Sequence, residues 1–292
     1  MMYFEDREEA DGMEVLLSSP RLGRTEIDLI PRMAAMNLAE SFPVLITGET
    51  FRAIGHPLKS LIGEGRVCAI QHSEGGARYA RVSVSPDHSK LFVHHLRKEA
   101  PPSANICLVE YKAIFQAMDS STKLAFLELG MNGSSLGKLQ IRLLQDAGAS
   151  KQFCLLCSAE VGPSYANTRL LDVWEKDLEK EYVTCGDYEM NTGLGGRAIV
   201  SGLGDQEEYN RPWLAGTVFG FLLWKRVAGQ FCILTKNNPD MVLSAPSFGM
   251  VEEGLNILIN AIKLCSCIRD IFIIDCGMVL PSHGDKCSVF SL

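Results

Sequence analysis

The stretch from Phe126 to Leu144 leaves the backbone few choices. Two apolar runs flank Asn132-Gly133, one holding Phe126, Leu127 and Leu129, the other Leu139, Ile141, Leu143 and Leu144. Asn-Gly supplies two successive residues that tolerate a positive φ, which the tightest hairpin turn requires. The segment therefore predicts a hairpin. Just beyond it, Gln152 to Ser158 gathers Phe153, Leu155, Leu156 and Cys157 without strict alternation, which predicts a short helix.

Short apolar runs broken by turn residues continue on both sides. Upstream, Val67, Ala69, Tyr79, Ala80, Val82, Val84, Leu91 and Val93 are punctuated by Ser73-Glu74-Gly75-Gly76 and Ser85-Pro86-Asp87. That spacing predicts an antiparallel meander. Ile106 to Met118 predicts a strand followed by a helix. Downstream, the same alternation of runs and turns predicts an all-β barrel. A second helix is expected over Val251 to Leu264, where Leu255, Leu258, Ile259 and Ile262 recur at helical spacing, and a last strand over Ile271 to Gly277. At 292 residues and 47% hydrophobic composition, the chain is long enough for two cores. The expected organisation is a flexible acidic tail over 1–24, a small α+β or β-meander domain over 25–118, a polar linker at 119–122, a β-barrel over 123–281 and a loose tail over 282–292.

The net charge of −7, with no run of Lys or Arg, argues against direct nucleic-acid binding. The opening residues MMYFEDREEADGMEVLL are acidic and lack the apolar segment of a secretory signal. The most apolar window, Leu214 to Trp224, is too short to span a bilayer. A cytoplasmic or nuclear chain is expected, neither secreted nor membrane-spanning. Ten cysteines in that setting read as free thiols. Cys154-x-x-Cys157 and Cys265-x-Cys267 have ligand-like spacing, but the first pair sits in the predicted helix among Phe153, Leu155 and Leu156. Buried thiols are the reading, with a zinc or thiol-dependent site as the alternative. Gly193-Leu194-Gly195-Gly196 lacks the Gly-Lys-Ser/Thr of a phosphate loop. No cofactor and no metal are expected.

A set of landmarks recurs in order: Gln152-Phe153-Cys154-Leu155-Leu156-Cys157-Ser158-Ala159-Glu160-Val161-Gly162, Gly186-Asp187-Tyr188, Gly193 to Gly196, Gln230-Phe231, Phe248-Gly249, Val251 to Gly254, and Asp275-Cys276-Gly277. Together they resemble the cyclophilins, the family of peptidyl-prolyl isomerases, over 123–281. The resemblance implies a mainly β fold, a closed antiparallel barrel capped by two helices. It also implies a groove in which an apolar pocket holds a proline ring and an arginine polarises the prolyl amide. The amide barrier arises from C–N resonance. A cation at the prolyl nitrogen lowers that barrier only by stabilising the twisted state more than the planar one.

The family's functional positions fall on other residues here. Asp172, in Leu170-Leu171-Asp172-Val173-Trp174, stands where the arginine is expected. The glutamine falls at Thr184, the pocket phenylalanine at Cys232, the Trp-Leu pair at Asp240-Met241 and the histidine at Ala245. The resemblance thus implies a pseudo-isomerase, a protein-interaction module or scaffold without turnover. The alternative is an atypical isomerase using Arg226. Arg169 lies an odd number of residues from Asp172, on the opposite strand face. The charged insertion Glu175 to Glu181 has a plain reading as a solvated loop. Its functional reading is a partner-binding elaboration, with Trp174, Glu175 and Lys176 as contacts.

Residues 61–96 resemble, over a shorter span, a Tudor domain, through Gly65-Arg66-Val67-Cys68-Ala69, Arg78-Tyr79-Ala80-Arg81-Val82 and Leu91 to Leu96. That resemblance implies a methylarginine-containing peptide held by cation–π contact, with Tyr79 as one cage wall and Phe92 or His95 as another. It also implies a ribonucleoprotein or small-RNA silencing setting. His94-His95-Leu96 replaces the family's Asp-Tyr-Gly, and ordinary sheet packing is the plain reading of Tyr79 and Phe92.

Overall fold

The structure, a computed structural model, describes residues 45–46, 56–87, 89–101, 106–117, 123–144, 148–200, 211–220, 228–243 and 246–281. The expected tails at 1–24 and 282–292, the linker at 119–122, Arg226 and Ala245 lie outside the described residues. In chain order the elements are β1 (Leu45–Ile46), α1 (His56–Gly63), β2 (Val67–Ser73), β3 (Gly76–Val84), β4 (Lys90–His94), β5 (Cys107–Glu110) and α2 (Tyr111–Ala117). There follow β6 (Lys123–Met131), β7 (Ser134–Leu143), α3 (Gly148–Ser158), β8 (Thr168–Arg169), β9 (Asp172–Trp174), β10 (Tyr182–Cys185) and β11 (Arg211–Trp213). The rest are β12 (Thr217–Gly220), β13 (Phe231–Leu234), β14 (Asn238–Leu243), β15 (Ser247–Glu253), α4 (Leu255–Leu264), a 3-10 turn (Ile268–Asp270) and β16 (Ile271–Pro281). The fold is mainly β, built on one large sheet. No helix among the described residues is long and apolar enough to cross a membrane.

Local chemistry sets several of these bounds. Asn132 and Gly133 take φ of 53° and 78°, and Met131 pairs with Ser134 across the two-residue turn. The expected meander forms as β2, β3 and β4. The expected strand and helix of 106–118 form as β5 and α2. The second helix starts later than its periodicity suggests. Val251 and Glu253 remain paired with β7, and Gly254, at φ 85°, turns the chain out of the strand.

Strand β16 is longer than expected because it has two sets of neighbours. One edge pairs with β6 from Ile271 to Val279. The other edge pairs with β4 from Gly277 to Pro281 and with β8 at Phe272 and Ile273. Strand pairing therefore runs without a break from the meander into the hairpin of β6 and β7. Leu96 N–H donates to the Ser158 carbonyl at 2.9 Å, and the Arg78 guanidinium donates to the carbonyls of Leu96, Ala159 and Glu160. These bonds tie the meander to the end of α3.

Among the described residues the expected closed ladder does not form. The strand order is an open path, β1-β5-β2-β3-β4-β16-β6-β7-β15-β12-β13-β10-β9, with β8 joined to β16. The cause lies at Leu170-Leu171. Leu170 N–H donates to Ile271 on one edge, whereas Leu171 N–H donates to Thr184 on the other. The chain thus steps between the two edges over two buried leucines instead of forming one strand that serves both.

Inward positions of these strands alternate as a pleated sheet requires. Leu127, Leu129, Leu139, Ile141, Val183, Val218, Ile233 and Ile273 meet Phe153 and Leu156 of α3 and Leu258 and Ile262 of α4 in one core. Phe153 is its hub, with ring centroids 5.3 Å from Tyr165, 5.0 Å from Phe231 and 5.5 Å from Phe248. Truncating such a ring to alanine costs about 3–5 kcal/mol.

Where β4 meets β16, Asp275 accepts hydrogen bonds from His94 Nδ1 at 2.7 Å, His95 Nδ1 at 2.8 Å and the Cys276 N–H at 2.8 Å. Burial alone would raise the Asp275 pKa, but the two imidazoles more than offset it and hold the carboxyl below its ordinary value. Burial lowers the His94 pKa despite the neighbouring carboxylate.

Both shifts give stability the same sign of pH dependence. A histidine with a lowered folded pKa binds fewer protons folded than unfolded, so stability falls as pH drops below about 6.5. The depressed carboxyl adds stability that is lost further down, below about pH 4. Denaturant titrations from pH 7.5 to 4 should show a monotonic loss, steeper in Asp275→Asn, which removes the carboxylate that raises the His94 pKa against burial. Gly277 gives a second test. A Cβ there would strike the Val93 carbonyl oxygen and lie 2.8 Å from the Phe126 ring. Gly277→Ala should cost about 2–3 kcal/mol in urea unfolding, because the opposing backbone has little room to move. A loss below about 0.5 kcal/mol would show that the β4–β16 pairing is not so close.

Candidate functional site

The outer face of β9, β10, β13 and β12 holds the candidate site. Val183, Cys185, Phe231, Ile233 and Val218 turn into the main core. Their strand neighbours occupy the other face. There the backbone register aligns Asp172 with Thr184, Thr184 with Cys232, and Cys232 with Phe219. Three residues expected at the groove, Asp172, Thr184 and Cys232, thus form a transverse row. A separate ribbon, β11 paired with β14, lies against this face through Trp213 and Leu243, which join Phe219, Cys232, Leu234, Tyr182 and Met241 in one apolar cluster.

The row's chemistry follows from its surroundings. Asp172 is exposed. Thr184 is buried, and its hydroxyl donates to the Asp172 carbonyl at 3.4 Å. Cys232 is fully buried, and burial pushes its thiol pKa well up, so it remains protonated. Asp240 is exposed on β14 beside half-buried Met241. The row itself holds no cation. Arg169 is engaged elsewhere, stacked over Phe272 at 4.8 Å and donating to the Arg269 carbonyl at 3.2 Å.

An aromatic series crosses the same face. Trp174, 40% exposed, stacks on Tyr182 with centroids 6.1 Å apart and planes 8° from parallel. Tyr182 in turn meets Phe219 edge-on at 5.7 Å and buried Trp213 at 6.4 Å. The Trp213 indole N–H is buried without an acceptor among the described residues. Phe219 did not stand out in the sequence. Its signal was the alternation of large residues with the core-facing Val218.

The charged insertion is the loop of the β9–β10 hairpin. Glu175 to Lys180 are exposed, with Glu175 and Asp177 in the left-handed region at φ 48° and 67°. Glu181 departs from the solvated reading. It is buried, accepting from the Thr235 hydroxyl and the Asp177 N–H at 2.7 Å each. Burial alone would raise its pKa, but these bonds and nearby Lys236 outweigh that and lower it. The loop is therefore anchored at its base.

The other expected positions separate. Phe92 is buried against Phe126 and Val279, while Tyr79 pairs with Arg97. Phe92 pairs with Ser83, four positions along β3 from Tyr79, or about 13 Å. The two rings do not face one another. Cys154 and Cys157 sit on α3, where burial pushes Cys154 up to about 11 and Cys157 well above its ordinary value. Among the described residues no three Cys, His, Asp or Glu side chains converge as metal ligands. No family model matches the chain, and no curated protein matches it.

Thiolate, not thiol, is the reactive species, so a raised pKa suppresses alkylation. Iodoacetamide at pH 8 should modify exposed Cys267 in the native protein. Cys157, Cys185 and Cys232 should remain unmodified until denaturant is added, as read by peptide mass spectrometry. Rapid native labelling of Cys232 would mean that the outer face opens.

Proposed function

We propose that this chain is a cyclophilin-like binding module that does not isomerise prolyl bonds and that docks a protein partner through the β9–β10 hairpin. The observation behind this reading is the state of the outer face. Trp213, Phe219, Tyr182 and Leu243 fill it, and a carboxylate, Asp172, occupies its exposed end. An isomerase needs space for a proline ring and a cation at the prolyl nitrogen, both held in tight geometry. A filled pocket beside an anion favours binding over turnover.

The hairpin has the attributes of a contact surface. Trp174 and Leu178 are exposed apolar groups on it, and Trp174 is already oriented by its stack on Tyr182. A preoriented ring loses little rotamer entropy on binding, and tryptophan is favoured at interface centres. Glu181 fixes the loop's base, and the Asn238 amide donates to Glu179 at 3.3 Å. Along the hairpin, the exposed carboxylates of Asp172, Glu175, Asp177 and Glu179 outnumber the ammonium groups of Lys176 and Lys180. That rim suits a partner with basic residues around an apolar anchor.

Two measurements test the reading. In exchange NMR with an X-Pro peptide, the purified protein should leave the cis/trans rate at background. A clear acceleration lost in Arg226→Ala would establish the isomerase alternative. In affinity purification, Trp174→Ala should weaken recovery of specific partners in a protein of unchanged melting temperature. Loss of such an anchor costs about 2 kcal/mol or more. Unchanged recovery would move the interface off this hairpin.

A further inference from the structure

A second constellation lies across β3, β4 and β16, away from the aromatic face. Ser83 Oγ is 2.7 Å from His94 Nε2, and His94 Nδ1 is 2.7 Å from Asp275 Oδ2. The three side chains come from three neighbouring strands and form one hydrogen-bonded chain. Arg81 Nη2 also approaches Nδ1, at 3.2 Å, but the carboxylate, at 2.7 Å, is the nearer partner and sets the tautomer. Were Nδ1 unprotonated, its lone pair would face the carboxylate oxygen at 2.7 Å, a repulsive contact. The proton therefore sits on Nδ1, shared with Asp275, and the Nε2 lone pair accepts from the Ser83 hydroxyl. His95 takes the same tautomer independently, because Arg97 Nε must donate to its Nε2 at 2.9 Å while its Nδ1 donates to Asp275.

The imidazole is also held in place. His94 packs edge-on against Phe126, with centroids 5.2 Å apart, beside the backbone of Gly277. Burial lowers its pKa, which keeps it neutral and able to accept a proton near pH 7. Ser83 is only half-buried, so its hydroxyl lies at the outer end of the chain. Arg81, two positions earlier and on the same face of β3, has a side chain 58% exposed, and its guanidinium lies 3.5 Å from Asp275.

We propose that Ser83 is a nucleophile for acyl transfer from small carboxylic esters, with His94 as its base and Asp275 as the residue that positions His94. Ser83 Oγ bonds to the ester carbonyl carbon as its proton passes to His94 Nε2, and the carbonyl π pair moves to oxygen. On collapse the carbon–alkoxy bond breaks, and the leaving oxygen takes its bonding pair and the proton from His94. Water then repeats the sequence: its proton passes to His94, its oxygen bonds to the acyl carbon, and Ser83 leaves and recovers its proton. The arrangement has the roles of a Ser–His–Asp triad, which are defined by geometry rather than by chain position.

The test uses the full chain with an alkyl fluorophosphonate and p-nitrophenyl acetate. Mass spectrometry should find the phosphonyl group on the peptide containing Ser83. Ser83→Ala should abolish that adduct and slow ester turnover about 100-fold, with an unchanged melting temperature. Ser83→Cys should regain acyl transfer. Asp275→Glu should keep more of the labelling rate than Asp275→Asn, which cannot accept the imidazole proton as a carboxylate does. A folded protein whose Ser83 carries no adduct, or whose esterase rate survives Ser83→Ala, would overturn the proposal. Full labelling in folded Asp275→Asn would remove Asp275 from it.

Discussion

Asp275 lies where β16 changes neighbours, and the fold depends on how that change is made. A strand has two edges. Here one is given to β6, and the other is divided between β8 and β4. Such a division interrupts the ladder, and backbone groups at the interruption need other partners. The register shift between Ile273 and Asp275 marks the place. The carboxylate accepts from its following N–H and draws in the two histidines from the end of β4. One side chain thereby does what the missing ladder bonds would have done. It does so with a charge that is costly to bury unless fully hydrogen-bonded.

Much of the architecture is legible in the sequence because it is local. Asn132-Gly133 specifies a turn within two residues, and the apolar runs of β2, β3 and β4 are set off by the turn residues between them. What is illegible depends on partners far away. Nothing near Met278 to Pro281 announces that β16 will continue, since the reason is β4, whose His94 lies 181 positions from Asp275. The Leu170-Leu171 step reads as any apolar pair until both sheet edges exist. Glu181 reads as the last charge of an exposed run because its partner, Thr235, lies in another part of the sequence.

The sites divide in the same way. The alignment of Asp172, Thr184 and Cys232 follows from strand register. The aromatic filling of that face was not foreseeable, because Trp213 reaches it only through a separate ribbon. Phe92 illustrates the reverse error. Its place in a cage was plausible from strand spacing, yet cross-strand packing with Phe126 takes it into an apolar cluster. Ser83 gave no signal as a serine among others in a strand. The adjacent pair His94-His95, in a position where a strand otherwise alternates, was the visible irregularity.

The divided edge of β16 also shapes the order in which the protein can be made. β4 emerges from the ribosome long before the strand that covers it, and at about 5–20 residues per second the wait is roughly ten to forty seconds. During that interval the nascent meander holds an unpaired edge beside Phe92 and Val93, a template for wrong pairing with another chain. Lys90 at one end of β4 and the two imidazoles at the other border that edge with polar groups. The residues that later anchor the junction can therefore guard it first, keeping the strand soluble until its own distant partner arrives.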